Sequence, residues 1–293
     1  LAQAAGGEII SADSMQVYRH MDIGSAKIRP EEMQGVPHHL VDCLEPDEEF
    51  NVVRFQQMAK EAMKGIYDRG RIPVLVGGTG FYIQAVTGDI DFTVHGEDTT
   101  YRQMLEDKAK TEGAQVLHEM LAAVDPASAA AIHANNVKRV IRALEYYRQT
   151  GKPISQHNEE QRQKESPYNL AYFVLNDERT RLYERIDARI DQMLADGLID
   201  EVKTLKKMGY HKGMVSMQGL GYKEILSYLD GTWPLEEAIY VLKRDTRHFA
   251  KRQITWFKRE RQVEWFDKQD FGYDAQVILD AMLASLREKK IIR

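Results

Sequence analysis

The 293-residue chain contains a single cysteine, Cys43. One thiol excludes an internal disulfide framework and a cysteine-cluster zinc site, and it fits a reducing, cytoplasmic setting. Cys43 stands in the apolar stretch Leu40–Leu44, where a buried, inert thiol is expected rather than a nucleophile. The nine histidines are scattered without metal-ligand spacing, so no zinc site is expected. No apolar run approaches the length that spans a bilayer, and no secretory signal pattern is present; no membrane partner is expected. Internal repeats and low-complexity tracts are lacking too. Positive charge is also short: 40 Lys and Arg against 45 Asp and Glu leave a net charge of −5. That balance by itself argues against a nucleic-acid partner, because phosphate contacts need a basic footprint.

What is present is ordinary in amount and informative in order. Hydrophobic residues make up 43% and charged residues 29%, enough for one large domain or two. Two apolar runs stop abruptly at polar or glycine residues. Glu8–Ala12 ends at Asp13-Ser14, and Ile72–Val76 ends at Gly77-Gly78-Thr79. Both read as buried strands. His38–Leu44 is a further apolar run, closed by Pro46. Between them Asn51 can cap a helix with Phe55, Ala59, Ala62, Met63 and Ile66 at helical spacing. Strand, helix, strand in that order indicates a parallel sheet with crossover helices.

The alternation stops after Gly80. Tyr101–Thr111, Ala114–Val124, Ala127–Ile132 and Val137–Gln149 read as helices, and Gln156–Pro167 as a polar loop. A strand signal returns only at Leu170–Leu175. About eighty residues between two strands of one sheet predict a helical insertion, placed at residues 98–155. Beyond Asn176 the chain reads as helical to about Arg259, then as a short strand at Val263–Phe266 and an amphipathic helix over Tyr273–Lys289.

Ligands of open parallel sheets sit beyond the carboxyl ends of the strands, which draws attention to Asp13 and to Gly77–Gly80. A carboxylate at that place can act as a general base, hold a metal directly or through water, or simply cap a turn. Gln16, Val17 and Tyr18 follow it closely and could line a pocket or pack. Glycines let a backbone approach a ligand and helix-start N–H groups attract anions, although a plain strand-to-helix turn accounts for them equally. Arg181, Arg185 and Arg189 are four apart and share one helix stripe; they suit a pyrophosphate or a solvated, salt-bridged face. The segment Lys243–Arg261 carries Lys243, Arg244, Arg247, Lys251, Arg252, Lys258, Arg259 and Arg261 against Asp245 and Glu260. It concentrates positive charge in an acidic protein, with Trp256 and Phe257 interleaved where aromatics can stack unpaired bases; a charged helix face with Trp256 in the core is the ordinary alternative. Lys138, Arg139 and Arg142 stud another helix.

Asp13-Ser14-Met15-Gln16-Val17-Tyr18 followed by Gly77-Gly78-Thr79-Gly80 resembles the tRNA dimethylallyltransferase (tRNA isopentenyltransferase) family. So do Leu182–Asp191, Gln218-Gly219-Leu220-Gly221-Tyr222-Lys223-Glu224 and Lys251-Arg252-Gln253-Ile254-Thr255-Trp256-Phe257-Lys258. Each motif alone is of moderate specificity; five in order along nearly the whole chain are specific. The resemblance implies an α/β fold: a P-loop-type parallel sheet core with flanking helices and an all-helical insertion. The core would start at residues 1–97, and residues 156–293 would complete it with a C-terminal helical RNA-binding region. Family members open with a strand and a G-x-T-x-x-G-K-T phosphate loop, which this sequence lacks. Leu1–Gly7 looks like the end of the helix after that loop, so a truncation is expected.

The resemblance also implies roles. Asp13 matches a general base and is the candidate ligand for magnesium (Mg2+), directly or through water. Thr79 matches a residue at the reacting groups. Arg185 and Arg189 match a pyrophosphate clamp. Ser14, Met15, Gln16, Arg102, Lys138, Arg139, Arg142, Gln218–Lys223, Lys251, Arg252, Gln253, Thr255, Trp256 and Lys258 are the expected tRNA contacts. The implied partners are a tRNA anticodon stem-loop and dimethylallyl pyrophosphate, and the implied protein a cytoplasmic monomer. Two rivals remain: a nucleotide or small-metabolite kinase on a similar sheet, whose arginines would grip phosphoryl groups, and a non-catalytic RNA-binding protein.

Overall fold

The computed structural model describes residues 1–92 and 99–293. The expected boundary at 97/98 lies outside the described residues. The chain forms two compact units, Leu1–Thr87 with Tyr168–Arg293, and Gly88–Pro167.

In the first unit a short helix α1 (Ala2–Ala5) leads into β1 (Gly7–Ser11), which pairs in parallel with β2 (His38–His39) and β3 (Ile72–Val76) in the order β2-β1-β3. The apolar run His38–Leu44 contributes only two residues of strand, because Leu40 and Asp42 turn to positive φ and lead the chain out of the ladder. The crossover is α2 (Val52–Asp68). Asn51 caps it as expected, its side-chain carbonyl accepting from the Val53 and Arg54 N–H groups at 3.1 and 3.0 Å, which stabilises a helix by about 1 kcal/mol. Phe55, Ala59, Met63 and Ile66 line its buried face, each large side chain contributing about 1.5–3 kcal/mol. At the foot of β1, Glu8 is buried between Arg69 (2.7 and 2.9 Å) and His39 (2.7 Å). The Arg69 and His39 hydrogen bonds hold its carboxyl down to about 2.

The strand after the helical stretch, β4 (Tyr172–Asn176), does not join this sheet. It pairs in parallel with β5 (Val263–Asp267), Tyr172 opposite Val263. The expectation of one sheet holding both strands is corrected: β4 gives its ladder hydrogen bonds to β5. The α/β class and the parallel pairing hold. Helices α9 (Arg179–Ala195), α10 (Leu198–Lys207), α11 (Tyr222–Leu229), α12 (Leu235–Phe257) and α13 (Ala275–Glu288) complete the unit. Its core runs from Ile10, Tyr18 and Phe55 through Tyr82 to Tyr222 and Phe257.

The second unit is wholly helical among its described residues: α4 (Thr99–Glu112), α5 (Ala114–Val124), α6 (Pro126–Ala131), α7 (Val137–Thr150) and α8 (Ile154–Gln163), with α3 (Gly80–Thr87) preceding it in the first unit. Leu105, Leu117, Leu121, Val140 and Leu144 form its core. It extends past the expected 98–155. The stretch Gln156–Pro167, expected to be a loop, is helical up to Gln163, because an almost wholly polar helix has no apolar periodicity to announce it. Asp125 holds that helix start: its buried carboxylate accepts from Ser155 N and Oγ (3.0 and 2.6 Å) and from Ser128 N and Oγ (3.0 and 2.7 Å).

Candidate active site and nucleic-acid interface

Asp13 sits two residues beyond the end of β1, just after Ala12. Its Oδ1 accepts from the Met15 N–H at 2.7 Å and the Gln16 N–H at 3.2 Å, an Asx turn of the kind Asp favours. Its Oδ2 has no hydrogen-bond partner among the described residues. Burial pushes the carboxyl up from its ordinary value, opposed by the two backbone N–H groups and by the Arg189 guanidinium. A carboxylate of raised basicity with one free oxygen is suited to accept a proton.

The second turn lies beside it. The Ala12 N–H donates to the Val76 carbonyl (2.7 Å) and the Thr79 N–H to the Ala12 carbonyl (3.3 Å). The residue before Asp13 and the residue Thr79 are thereby pinned to one another. Thr79 also opens α3, its carbonyl accepting from Tyr82 and Ile83. Gly77, Gly78 and Gly80 are absent from the positive-φ glycines. What they supply is room: a Cβ on Gly77 would lie against the Ala12 backbone, one on Gly78 against the Gln253 carboxamide, and one on Gly80 against the Trp256 indole.

Arg185 and Arg189 project from α9 and are exposed. Arg185 donates to Asp177 at 3.1 Å; that carboxylate is buried just after β4, so one anchored nitrogen orients the fork. Asp177 follows an apolar run much as Asp13 does, a signal in the sequence that would single it out. Arg181 is set apart, stacked 3.9 Å over the Tyr273 ring. Val17 and Tyr18 are fully buried and pack; Ser14, Met15 and Gln16 remain partly accessible.

The glycine-rich stretch divides. Gln218 is exposed, its carboxamide on the Lys212 carbonyl, and a Cβ on Gly219 would collide with the Met15 sulfur. Leu220 and Lys223 are partly exposed. Gly221 adopts φ +93°, which only glycine holds without strain, and donates its N–H to Glu224 at 2.9 Å. Tyr222 is a correction: it is fully buried, its hydroxyl donates to Glu201 at 2.9 Å, and it belongs to the core.

Along α12, His248, Lys251, Arg252, Thr255, Trp256 and Arg259 line an open groove of about 540 Å³. Lys251, Lys258, Arg259 and Arg261 have no ion-pair partner among the described residues; Arg252 lies 5.8 Å from the Phe249 ring. In the second unit Lys138, Arg139 and Arg142 are exposed on α7 and unpaired among the described residues. Arg102 is tied to the buried Glu145 by two bonds of 2.9 and 2.7 Å. No helix among the described residues is long and apolar enough to cross a membrane, and no group of three or more His, Cys, Asp or Glu among them is placed to hold a metal ion.

Residues 16–260 match the family model of IPP transferase. The chain is 62% identical over 293 residues to a tRNA dimethylallyltransferase of Lachnoclostridium phytofermentans, covering all of this chain and 93% of that relative. It is 52% identical to the tRNA dimethylallyltransferase of Carboxydothermus hydrogenoformans over 91% of this chain and 86% of that one. Among solved structures, the full-length tRNA isopentenylpyrophosphate transferase of Bacillus halodurans superposes with a TM-score of 0.72 at 47% identity. That match covers 99% of this chain and 91% of that one. A eukaryotic dimethylallyltransferase acting on tRNA superposes with a TM-score of 0.82 at 29% identity, covering 100% of this chain and 75% of that chain.

Proposed function

The chain belongs to the IPP transferase family, and from that membership we infer that it is a prenyltransferase that modifies tRNA. We further propose that the donor is dimethylallyl pyrophosphate and the acceptor the N6 amine of the adenine on the 3′ side of the anticodon. That base would be flipped out of its loop, as chemistry on a base requires. The observation that carries the residue assignment is the pairing of two turns: Asp13 with a free Oδ2 and raised basicity, and Thr79 pinned to Ala12.

The reaction exchanges one bond for another. The amine nitrogen attacks the allylic carbon, the carbon–oxygen bond to pyrophosphate breaks, and Asp13 Oδ2 takes the N–H proton. An aromatic amine is a weak nucleophile, so removing its proton as it attacks lowers the barrier; general bases contribute roughly 10²–10⁴-fold. Arg189 beside Asp13 and the Asp177-oriented Arg185 face the departing pyrophosphate with forked donors, and Thr79 adds a hydroxyl. The residues fit a magnesium ion held mainly by pyrophosphate and water, since Mg2+ is commonly bound through one or two carboxylates plus phosphates and Asp13 offers one free oxygen. When bound it would neutralise charge on the leaving group.

Ser14, Met15 and Gln16, the Gln218–Lys223 segment apart from the Tyr222 side chain, the groove residues Lys251, Arg252, Thr255 and Trp256, and the exposed Lys258 after them would meet the anticodon stem-loop. Lys138, Arg139 and Arg142 would meet phosphates, and Arg102, half-exposed beside its Glu145 partner, would join them. A cytoplasmic monomer is the setting we assign. The test is to incubate the intact protein with magnesium, dimethylallyl pyrophosphate and bulk tRNA, then analyse digested nucleosides by mass spectrometry. Adenosine gaining one dimethylallyl unit, lost in Asp13→Asn, is the expected result. Nucleotide consumption with small acceptors and no modified adenosine would turn the reading to a kinase. Tight tRNA binding with no turnover would leave an RNA-binding protein.

A further inference from the structure

The second half of α12 has two faces. Its outer residues line the basic groove, whereas Gln253 and Trp256 also reach inward to the Gly77–Gly80 turn. Gln253 Nε2 donates to the Gly78 carbonyl at 3.0 Å. The same carbonyl accepts from the Gly80 N–H at 3.1 Å, so the peptide joining Gly78 to Thr79 is held at one oxygen from two directions. Trp256 contributes shape alone: its indole Nε1 is buried without a hydrogen-bond partner, and its ring sits where a Gly80 Cβ would be. Gly78 is required by Gln253 in the same way, which gives that glycine a reason independent of any ligand.

We propose that Gln253 is a positioning residue and not an RNA contact: by holding the Gly78 carbonyl it sets the direction of the next residue, Thr79. The inference rests on the prenyl-transfer reading. Orientation is where a helix can influence turnover without touching substrate, since displacing a reacting group by about 1 Å can cost on the order of 100-fold. It also gives α12 a means of linking its groove to the turn, because Lys251, Arg252 and Thr255 flank Gln253 on the same helical turns.

The experiment measures kcat at saturating tRNA, and tRNA Kd separately, for wild type, Gln253→Leu, Gln253→Glu, Gly78→Ala and Lys251→Ala, with melting temperature as the check on folding. Gln253→Leu and Gln253→Glu are expected to lower kcat about 10- to 100-fold with Kd within about twofold. Gly78→Ala, which displaces the carboxamide while leaving Gln253 in place, is expected to match them, and it carries the test if Gln253→Leu fails to fold. Lys251→Ala is expected to show the opposite split. A Gln253→Leu variant whose Kd rises about tenfold at unchanged kcat overturns the proposal in favour of an RNA contact. Unchanged kcat and Kd overturn it outright. A wild-type enzyme that forms no dimethylallyl adenosine overturns the transfer reading first, before any variant is compared.

Discussion

The two halves of α12 have the same sequence character and opposite fates. In the first half, Lys243 pairs with Asp191 at 2.6 Å, Arg247 meets both oxygens of Asp187 at 2.7 Å, and Arg244 takes Asp245 at 2.9 Å. Two of these partners stand on α9, so those cations serve helix packing. In the second half Lys251 and Arg252, with Arg259 just past the helix end, line the open groove without ion-pair partners among the described residues. The basic tract Lys243–Arg261, taken as one nucleic-acid signal, is therefore two features. Counting charge locates a candidate footprint; pairing decides which part of it is available to phosphate.

The strongest way to sharpen this division is to remove the chemistry and leave the groove alone. Asp13→Asn is expected to lower kcat about 10²- to 10⁴-fold while tRNA Kd stays within about twofold. The same substitution is expected to raise melting temperature. Asp13 has a folded-state pKa above its unfolded value, so its stabilising contribution is present below the unfolded value and is lost as pH rises through the folded one. Above the folded value the ionised group is a liability that asparagine removes. The pH–rate profile should show an acid limb above the usual aspartate range, because the base works only when ionised. Since Arg189 opposes the rise, Arg189→Gln should move that limb to still higher pH.

Much of this arrangement could be read in advance. Asn51 announced a helix start, and the helix Ala114–Val124 has the bounds expected of it. Asp13 and Thr79 stood out because apolar runs ended at them. The remainder depends on contacts distant in sequence. Asp177 matters because α9 places Arg185 over it eight residues on. Glu201 holds the Asp22–Gly24 backbone through three N–H groups at 2.7–3.0 Å and takes the Tyr222 hydroxyl. Nothing local in either segment points to the other. The partition of β4 from the first sheet was also hidden, since a strand's pattern states which faces are buried and not which neighbour it pairs with.

Breaking the open half should give the next largest effect. Lys251→Ala with Arg252→Ala is expected to raise tRNA Kd about tenfold or more at low salt. Two lost phosphate contacts should also reduce the slope of log Kd against log salt by about 1.4, at roughly 0.7 per single-strand phosphate. Titration over a range of salt concentrations checks both. Arg247→Ala is the counterpart in the closed half. It should leave Kd within about twofold and cost about 1 kcal/mol of stability, the upper range for a partly exposed pair. That corresponds to about 2–4 °C in Tm. An Arg247→Ala variant that weakened tRNA binding as much as the Lys251 and Arg252 changes would erase the distinction between the halves.

Arg244→Gln is the finest probe. Its partner Asp245 is the adjacent residue on the same helix, which is why this pair cannot brace α12 against α9 as the Asp187 and Asp191 pairs do. Both side chains keep solvent contact, so ionic screening and side-chain entropy consume most of the attraction. Tm should move by no more than about 1 °C, and tRNA Kd should stay unchanged, because Asp245 already neutralises the charge that a phosphate would seek. If Arg244→Gln did weaken tRNA binding and lower the salt slope, the boundary between the closed and open halves would have to move a full turn toward the start of α12. Exposure, and not pairing, would then be what makes a cation of this helix available to RNA.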